Sequence, residues 1–244
     1  MLEQTVESYD KTKIAFNHFK QQDRDTVIVI CHGIGMCKDA KPFLDLSKDF
    51  FNNYDVITMD QRGHGNSGGI FSFSAKEHED IKVVINYAKK IYKHVYLMGF
   101  SFGAASSIIQ VAREKNVDGM IVVSPPISFE EIENLFLDIG ALVPGIQKIG
   151  SHLFKLRLGS IRKKKIRPID VIEQISPIPL LIIQGEKDPI IFKRHAETLF
   201  EKAKEPKRII MIKGGLHAEE LYRQNPKDFM SCCVSWLQGE EFFR

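Results

Sequence analysis

A serine segment flanked by glycines, Gly99-Phe100-Ser101-Phe102-Gly103, constrains the fold of this chain more than any other stretch. It follows the apolar run 95–98, which is typical of a β-strand, and precedes the run 104–113, which is typical of a helix. A Gly-x-Ser-x-Gly pentapeptide in this context indicates a nucleophile elbow. We expect the turn to expose Ser101 Oγ and to direct the Phe102 N–H at the same point. Alone, the pentapeptide also fits a purely structural tight turn.

Strand-like apolar runs alternate with helical patterns along most of the chain. The runs 26–31, 119–124 and 180–183 are almost entirely apolar, as expected for strands buried on both faces of a parallel sheet. Other strands are predicted over 4–9, 13–19, 54–59 and 208–212, and helices over 42–51, 75–91, 195–204 and 218–237. This alternation predicts an α/β fold with a mostly parallel central sheet and helices on both faces.

The segment 127–176 interrupts the alternation. A chain of 244 residues fits one domain, 1–244, and this segment lies between two predicted sheet strands. Its first part is acidic and amphipathic, and its second part, after Pro144-Gly145, is basic. Because connections of this length are usually functional, we expect an inserted helical cap over the carboxyl ends of the strands.

A serine nucleophile requires a base, an acid that orients the base, and donors for the developing oxyanion. In an elbow-type fold the order along the chain is serine, acid, histidine. Asp188 and His217 follow two later strands in that order, so we expect His217 to accept the Ser101 proton and Asp188 to orient His217. Glu186 is an alternative acid, two residues before Asp188.

The glycines of His32-Gly33-Ile34-Gly35 follow the strand 26–31, where such folds place an oxyanion donor. We assign the N–H of Ile34 and the N–H of Phe102 as the two donors. The motif Arg62-Gly63-His64-Gly65 is interpreted as fixing a neighbouring loop, with no catalytic role for His64.

Taken together, these motifs resemble those of α/β-hydrolase fold serine hydrolases, close in pattern to bacterial lysophospholipase, monoacylglycerol lipase and carboxylesterase relatives. The segments that carry the resemblance are His32–Gly35, Asp60–Ser67, Gly99–Gly103, Asp188 and His217. The resemblance implies an enzyme that cleaves carboxylic esters through an acyl-enzyme on Ser101. A thioesterase or a peptidase/amidase on the same triad is the alternative, and a non-catalytic binding protein of the same fold is a more distant one.

The cap suggests what the substrate looks like. Its apolar residues Phe129, Leu135 and Phe136 are candidates for contacts with an acyl or aromatic arm of a small-molecule ester. Seven basic residues and no acidic one lie within 155–167, which suggests transient contact with an anionic lipid surface. The same run contains no aromatic residue, which argues against nucleic-acid binding.

Composition indicates the compartment. The amino terminus lacks the pattern of a signal peptide, and no apolar run has the length of a membrane span. Four cysteines, at 31, 37, 232 and 233, show neither a disulfide framework nor the spacing of a metal site. We therefore expect a cytoplasmic protein that needs no metal and no cofactor.

Overall fold

A computed structural model describes residues 1–132, 155–159 and 165–239 of the chain. Its sheet contains eight strands: β1 (Leu2–Glu7), β2 (Lys13–Phe19), β3 (Thr26–Cys31), β4 (Asp55–Met59), β5 (His94–Phe100), β6 (Gly119–Val123), β7 (Leu180–Gly185) and β8 (Lys207–Ile212). The described helices are α1 (Lys41–Phe51), α2 (Glu77–Lys89), α3 (Phe102–Glu114), α4 (Pro168–Val171), α5 (Lys193–Lys202), α6 (Glu219–Gln224) and α7 (Pro226–Leu237), and a 3₁₀ turn spans Ile172–Ile175.

The strand order is β1-β2-β4-β3-β5-β6-β7-β8. β1 pairs antiparallel with β2 and β2 antiparallel with β4, whereas every pair from β4 to β8 is parallel. The six parallel strands therefore end at one common edge of the sheet. The loops that follow β3, β5, β7 and β8 carry the predicted functional residues, and they all leave this edge.

Both faces of the sheet are covered, as the apolar strand runs predict. In β3, Val27 and Val29 belong to the hydrophobic cluster under α2 and α3, whereas Ile28 and Ile30 belong to the opposite cluster under α1 and α7. Successive side chains of a strand point to opposite faces, so each face buries its own core. The mostly parallel α/β sheet predicted from the sequence is confirmed.

The carboxyl-terminal helix differs from the prediction. The sequence predicted one helix over 218–237, but α6 ends at Gln224 and α7 begins at Pro226. Proline lacks an N–H and is favoured in the first turn of a helix, so it starts α7 and cannot continue α6. Asn225 caps α7, because its side-chain oxygen accepts the Asp228 N–H at 3.2 Å.

Only part of the predicted cap can be compared with the structure. Residues 133–154 and 160–164 lie outside the described residues, and the described part of 127–176 includes α4 and the 3₁₀ turn Ile172–Ile175. Residues 155–159 run beside the loop after β4, where Phe71 N–H donates to Arg157 O and Arg157 N–H donates to Gly63 O, both at 2.8 Å. None of the described helices has the length and apolar character needed to cross a membrane.

Candidate active site

Ser101 lies in the turn between β5 and α3, with φ of 52° and ψ of −114°. This backbone conformation is strained for a residue with a Cβ, and such strain is concentrated at functional sites. The turn is held by a hydrogen bond from Ser101 N–H to Val123 O at 2.8 Å. A Cβ on Gly103 would lie 2.4 Å from Cys31 O, and one on Gly99 would lie 2.7 Å from Ala104 Cα, so only glycine fits at either position.

The structure brings Ser101, His217 and Asp188 together in one hydrogen-bonded chain. His217 Nε2 lies 3.0 Å from Ser101 Oγ, and His217 Nδ1 lies 2.8 Å from Asp188 Oδ2. An ionised carboxylate only accepts hydrogen bonds, so Nδ1 carries the proton and Nε2 keeps its lone pair for the serine hydroxyl. Such an arrangement can remove the serine proton during attack on a carbonyl carbon.

The environment of Asp188 favours its ionised form. Burial alone raises the pKa of this carboxyl, but the charge and hydrogen bond of His217, together with backbone N–H donors, lower the pKa below its ordinary value. The N–H groups of Ile190 and Ile191 each donate to Oδ1 at 2.9 Å, and Gln184 Nε2 donates to Oδ2 at 3.3 Å. The alternative acid, Glu186, has an exposed side chain.

Two residues that contact this arrangement were missed by the sequence analysis. Gln184 is a polar residue in the otherwise apolar strand β7, and this pattern could have drawn attention to it. Ser124 follows β6, and its Oγ accepts the Ala218 N–H at 3.0 Å, directly after His217. Both Ser124 and Ala218 have positive φ, 49° and 50°. No pattern within one segment predicts this hydrogen bond, because Ser124 and Ala218 are 94 residues apart in the sequence.

The two predicted oxyanion donors come from segments next to Ser101. Phe102 is the first residue of α3, and the first N–H groups of a helix have no partner within it. The other segment, Gly33–Ile34, lies against the serine: a Cβ on Gly33 would be 3.2 Å from Ser101 Cβ and 3.8 Å from Ser101 Oγ. The loop after β3 is therefore in contact with the predicted nucleophile.

An aromatic cluster lies beside Phe102 and contains the described member of the predicted substrate contacts. The Phe129 ring centroid is 5.4 Å from that of Phe102 and 5.0 Å from that of Phe73. Ile34 and Ile191 pack in the same cluster, so apolar groups adjoin both the oxyanion loop and the loop of Asp188. The other two predicted contacts, Leu135 and Phe136, lie outside the described residues.

The described basic residues of 155–167 have partners within the chain. Arg157 donates to the carbonyl oxygens of Ser67 and Gly69, and Lys155 Nζ lies 3.4 Å from Asn66 Oδ1. Lys165 Nζ lies 4.3 Å from the centroid of the Phe129 ring and 3.6 Å from Glu130 Oε1, and Arg167 pairs with Asp170. Arg162, Lys163 and Lys164 lie outside the described residues. The described part of the chain contains no cluster of side chains suited to a metal ion.

Comparison with known proteins gives one family and one fold. A family model described as Hydrolase_4, serine aminopeptidase S33, matches residues 22–167. YqkD of Bacillus subtilis, described as an uncharacterized protein, is 28% identical over 232 residues, which is 87% of this chain and 73% of YqkD.

Solved structures resemble the chain over nearly its whole length. The alpha/beta hydrolase GrgF from a Penicillium species has a TM-score of 0.81 at 18% identity, covering 97% of both chains. The Pyrococcus furiosus esterase Pf2001 has a TM-score of 0.77 at 19% identity, covering 97% of this chain and 91% of the esterase. At these identities the likeness shows a shared fold.

Proposed function

The chain belongs to the α/β-hydrolase family described as Hydrolase_4, serine aminopeptidase S33, and is therefore a hydrolase; we propose that it is a serine hydrolase that cleaves carboxylic esters. In this proposal Ser101 is the nucleophile, His217 the general base and Asp188 the residue that orients His217. The observation that carries it is the hydrogen-bonded chain of these three side chains, with distances of 3.0 and 2.8 Å.

The proposed reaction has two steps. Ser101 Oγ attacks the ester carbonyl carbon while its proton passes to His217 Nε2, and the alkoxide of the substrate leaves with that proton. The N–H groups of Ile34 and Phe102 stabilise the negative oxygen of the tetrahedral intermediate. Water then attacks the acyl carbon while His217 takes its proton, and His217 returns this proton to Ser101 Oγ as the bond between Ser101 and the acyl group breaks and the carboxylic acid is released.

We propose an acyl or aromatic arm for the substrate because the aromatic cluster of Phe73, Phe102 and Phe129 lies next to the proposed oxyanion donors. Lysophospholipids and monoacylglycerols have such an arm. Transient contact of 155–167 with an anionic lipid surface remains part of the same proposal.

The description of the family as a serine aminopeptidase favours a second candidate, a peptidase or amidase that uses the same three residues. A thioesterase would use them in the same way, since all three substrates are acyl compounds attacked at the carbonyl carbon. The leaving group distinguishes them: an alkoxide, an amine or a thiolate.

The test compares wild type with Ser101→Ala on p-nitrophenyl esters from acetate to palmitate, on aminoacyl p-nitroanilides and on acyl thioesters. We expect hydrolysis of the esters by wild type and its loss in the variant. Preference for the anilides or the thioesters would replace the ester proposal. If wild type is inactive on every substrate and is not labelled by a serine-directed fluorophosphonate, the serine hydrolase proposal fails.

A further inference from the structure

His64 is a buried residue that the proposed mechanism does not use. It lies in the loop after β4, and only 1% of its surface is exposed. Its ring is edge-on to the rings of Phe71 and His32, with centroids 4.9 and 5.1 Å away. Its two nitrogens contact backbone groups: Nδ1 lies 3.1 Å from Arg62 O, and Nε2 lies 3.1 Å from Gly35 N.

These two contacts determine the tautomer of His64. A carbonyl oxygen only accepts hydrogen bonds, so Nδ1 carries the proton and donates to Arg62 O. Nε2 then has a lone pair, which accepts the Gly35 N–H. Burial, and after it the nearby His32, lowers the pKa of His64 to about 3, so the ring is neutral and keeps this acceptor at neutral pH.

Gly35 belongs to the tight turn that contains Ile34. The Met36 N–H donates to Gly33 O at 3.4 Å, and Gly35, the third residue of this turn, has φ of 75°. A positive φ at that position is the mark of a type II turn, which differs from a type I turn by a flip of the central peptide. The central peptide here joins Ile34 to Gly35, and its N–H is the group that His64 accepts.

The loop after β4 holds the loop after β3 at a second point. Asp60 Oδ1 accepts the Lys38 N–H at 2.7 Å, three residues beyond Gly35. His64 and Asp60 thus fix backbone N–H groups at both ends of 35–38. Of the two, only His64 contacts the turn that carries the proposed oxyanion donor.

We propose that His64 is a positioning residue for the oxyanion hole. As a neutral acceptor it fixes the central peptide of the turn 33–36, which follows Ile34, and thereby stabilises the turn whose first peptide carries the Ile34 N–H. This inference rests on the proposed function, because it needs Ser101 to be the nucleophile. It gives the motif Arg62-Gly63-His64-Gly65 a physical task beyond fixing a neighbouring loop, without a catalytic role for His64.

The expected effect is a loss in the chemical step. Removing one oxyanion donor costs about 10²–10³-fold in kcat. Because His64 acts through the turn, we expect His64→Leu to lower kcat by roughly 10–10²-fold, below the full loss of a donor, with KM nearly unchanged. His64→Gln places an amide oxygen near the position of Nε2, and we expect it to recover part of the loss.

The matched control is His18→Leu. His18 is also a buried histidine, 3% exposed, with both ring nitrogens in hydrogen bonds, to Tyr87 and Tyr92. Its network includes Asp55, the first residue of β4, whereas His64 follows the other end of that strand. His18→Leu therefore reproduces the loss of a buried imidazole without touching the oxyanion turn.

The experiment measures the rate at which a fluorophosphonate labels Ser101 in wild type and the three variants, beside kcat and KM on the best ester. This reaction needs the nucleophile and the oxyanion hole but no particular substrate. We expect normal labelling in His18→Leu, slow labelling in His64→Leu and an intermediate rate in His64→Gln. A long-range ¹H–¹⁵N spectrum of wild type, which should show His64 protonated at Nδ1 alone, tests the tautomer without any variant.

The outcomes separate the inference from the proposed function. Equal labelling of His64→Leu and wild type overturns the role of His64 and leaves the serine hydrolase intact. Equal slowing in His18→Leu also overturns it, since the effect would then be general. A wild type that is neither labelled nor active overturns the proposed function, and this inference with it. Protonation of His64 at Nε2 refutes the hydrogen bond on which the inference depends.

Discussion

Ser124→Ala removes a hydrogen bond between the carboxyl end of β6 and the backbone that directly follows His217. Ser124 Oγ accepts the Ala218 N–H at 3.0 Å, and both residues are fully buried. Alanine leaves the backbone strain of a positive φ unchanged, because it also carries a Cβ. The substitution therefore leaves the Ala218 donor buried and without its hydroxyl acceptor.

The magnitude follows from that unsatisfied donor. A buried N–H that loses its partner costs about 1–3 kcal/mol. For a domain of this size each kcal/mol shifts Tm by about 2–4 °C, so a loss of about 2 kcal/mol corresponds to about 4–8 °C. Because a shift of about 1 Å in a reacting group costs up to about 10²-fold, we expect kcat to fall by between about 10-fold and 10²-fold.

Ser106→Ala is the matched comparison. Ser106 is also fully buried, but its Oγ has no hydrogen-bond partner among the described residues, and it lies within the helix α3. Alanine is the best helix former, so this variant should be neutral or slightly stabilising. Thermal denaturation and ester kinetics on both variants provide the test. Equal losses of Tm in the two variants, or an unchanged kcat in Ser124→Ala, would refute the reasoning.

Predictions for three further residues concern the site and its support. Asp188→Asn should lower kcat by on the order of 10⁴-fold, because the His217 imidazole loses the partner that fixes its tautomer. Steady-state kinetics on the best ester measure this loss. The pKa of the Asp188 carboxyl is lower in the folded protein than in the unfolded chain, so the ionised carboxylate stabilises the folded state above about pH 4. This stabilisation is lost as the pH falls through the folded-state pKa, and the difference in Tm between wild type and Asp188→Asn should shrink over the same range. Gly103→Ala should destabilise the fold by about 1–3 kcal/mol or more, measured by urea unfolding, since its Cβ would lie 2.4 Å from Cys31 O; unaltered stability would contradict this close approach. Asp80→Ala should destabilise the fold by up to about 3–5 kcal/mol, again by urea unfolding, because the buried Arg62 loses its partner at 2.7 Å and keeps only its ion pair with the partly exposed Asp10 among the pairs described.

Most of the fold was predicted from patterns within single short segments of the sequence. The apolar run of β3 predicted a strand covered on both faces, and the structure places its alternate side chains in two separate clusters. The glycines at 99 and 103 predicted the tight turn of Ser101, which leaves no space for a Cβ at either position. Such features depend on the period of side chains and on backbone sterics, both of which are local.

The order of Ser101, Asp188 and His217 also came from the sequence, because parallel strands deliver their following loops to one edge. Pro226 was the residue in the sequence that indicates a break between α6 and α7, and the prediction of a single helix did not take it into account. The contacts of Gln184, Ser124 and His64 were decided only by tertiary structure. Ser124 and His64 accept hydrogen bonds from residues that are distant in the sequence and brought together by the fold. A periodic pattern or motif within one segment does not determine how far that segment will lie from another.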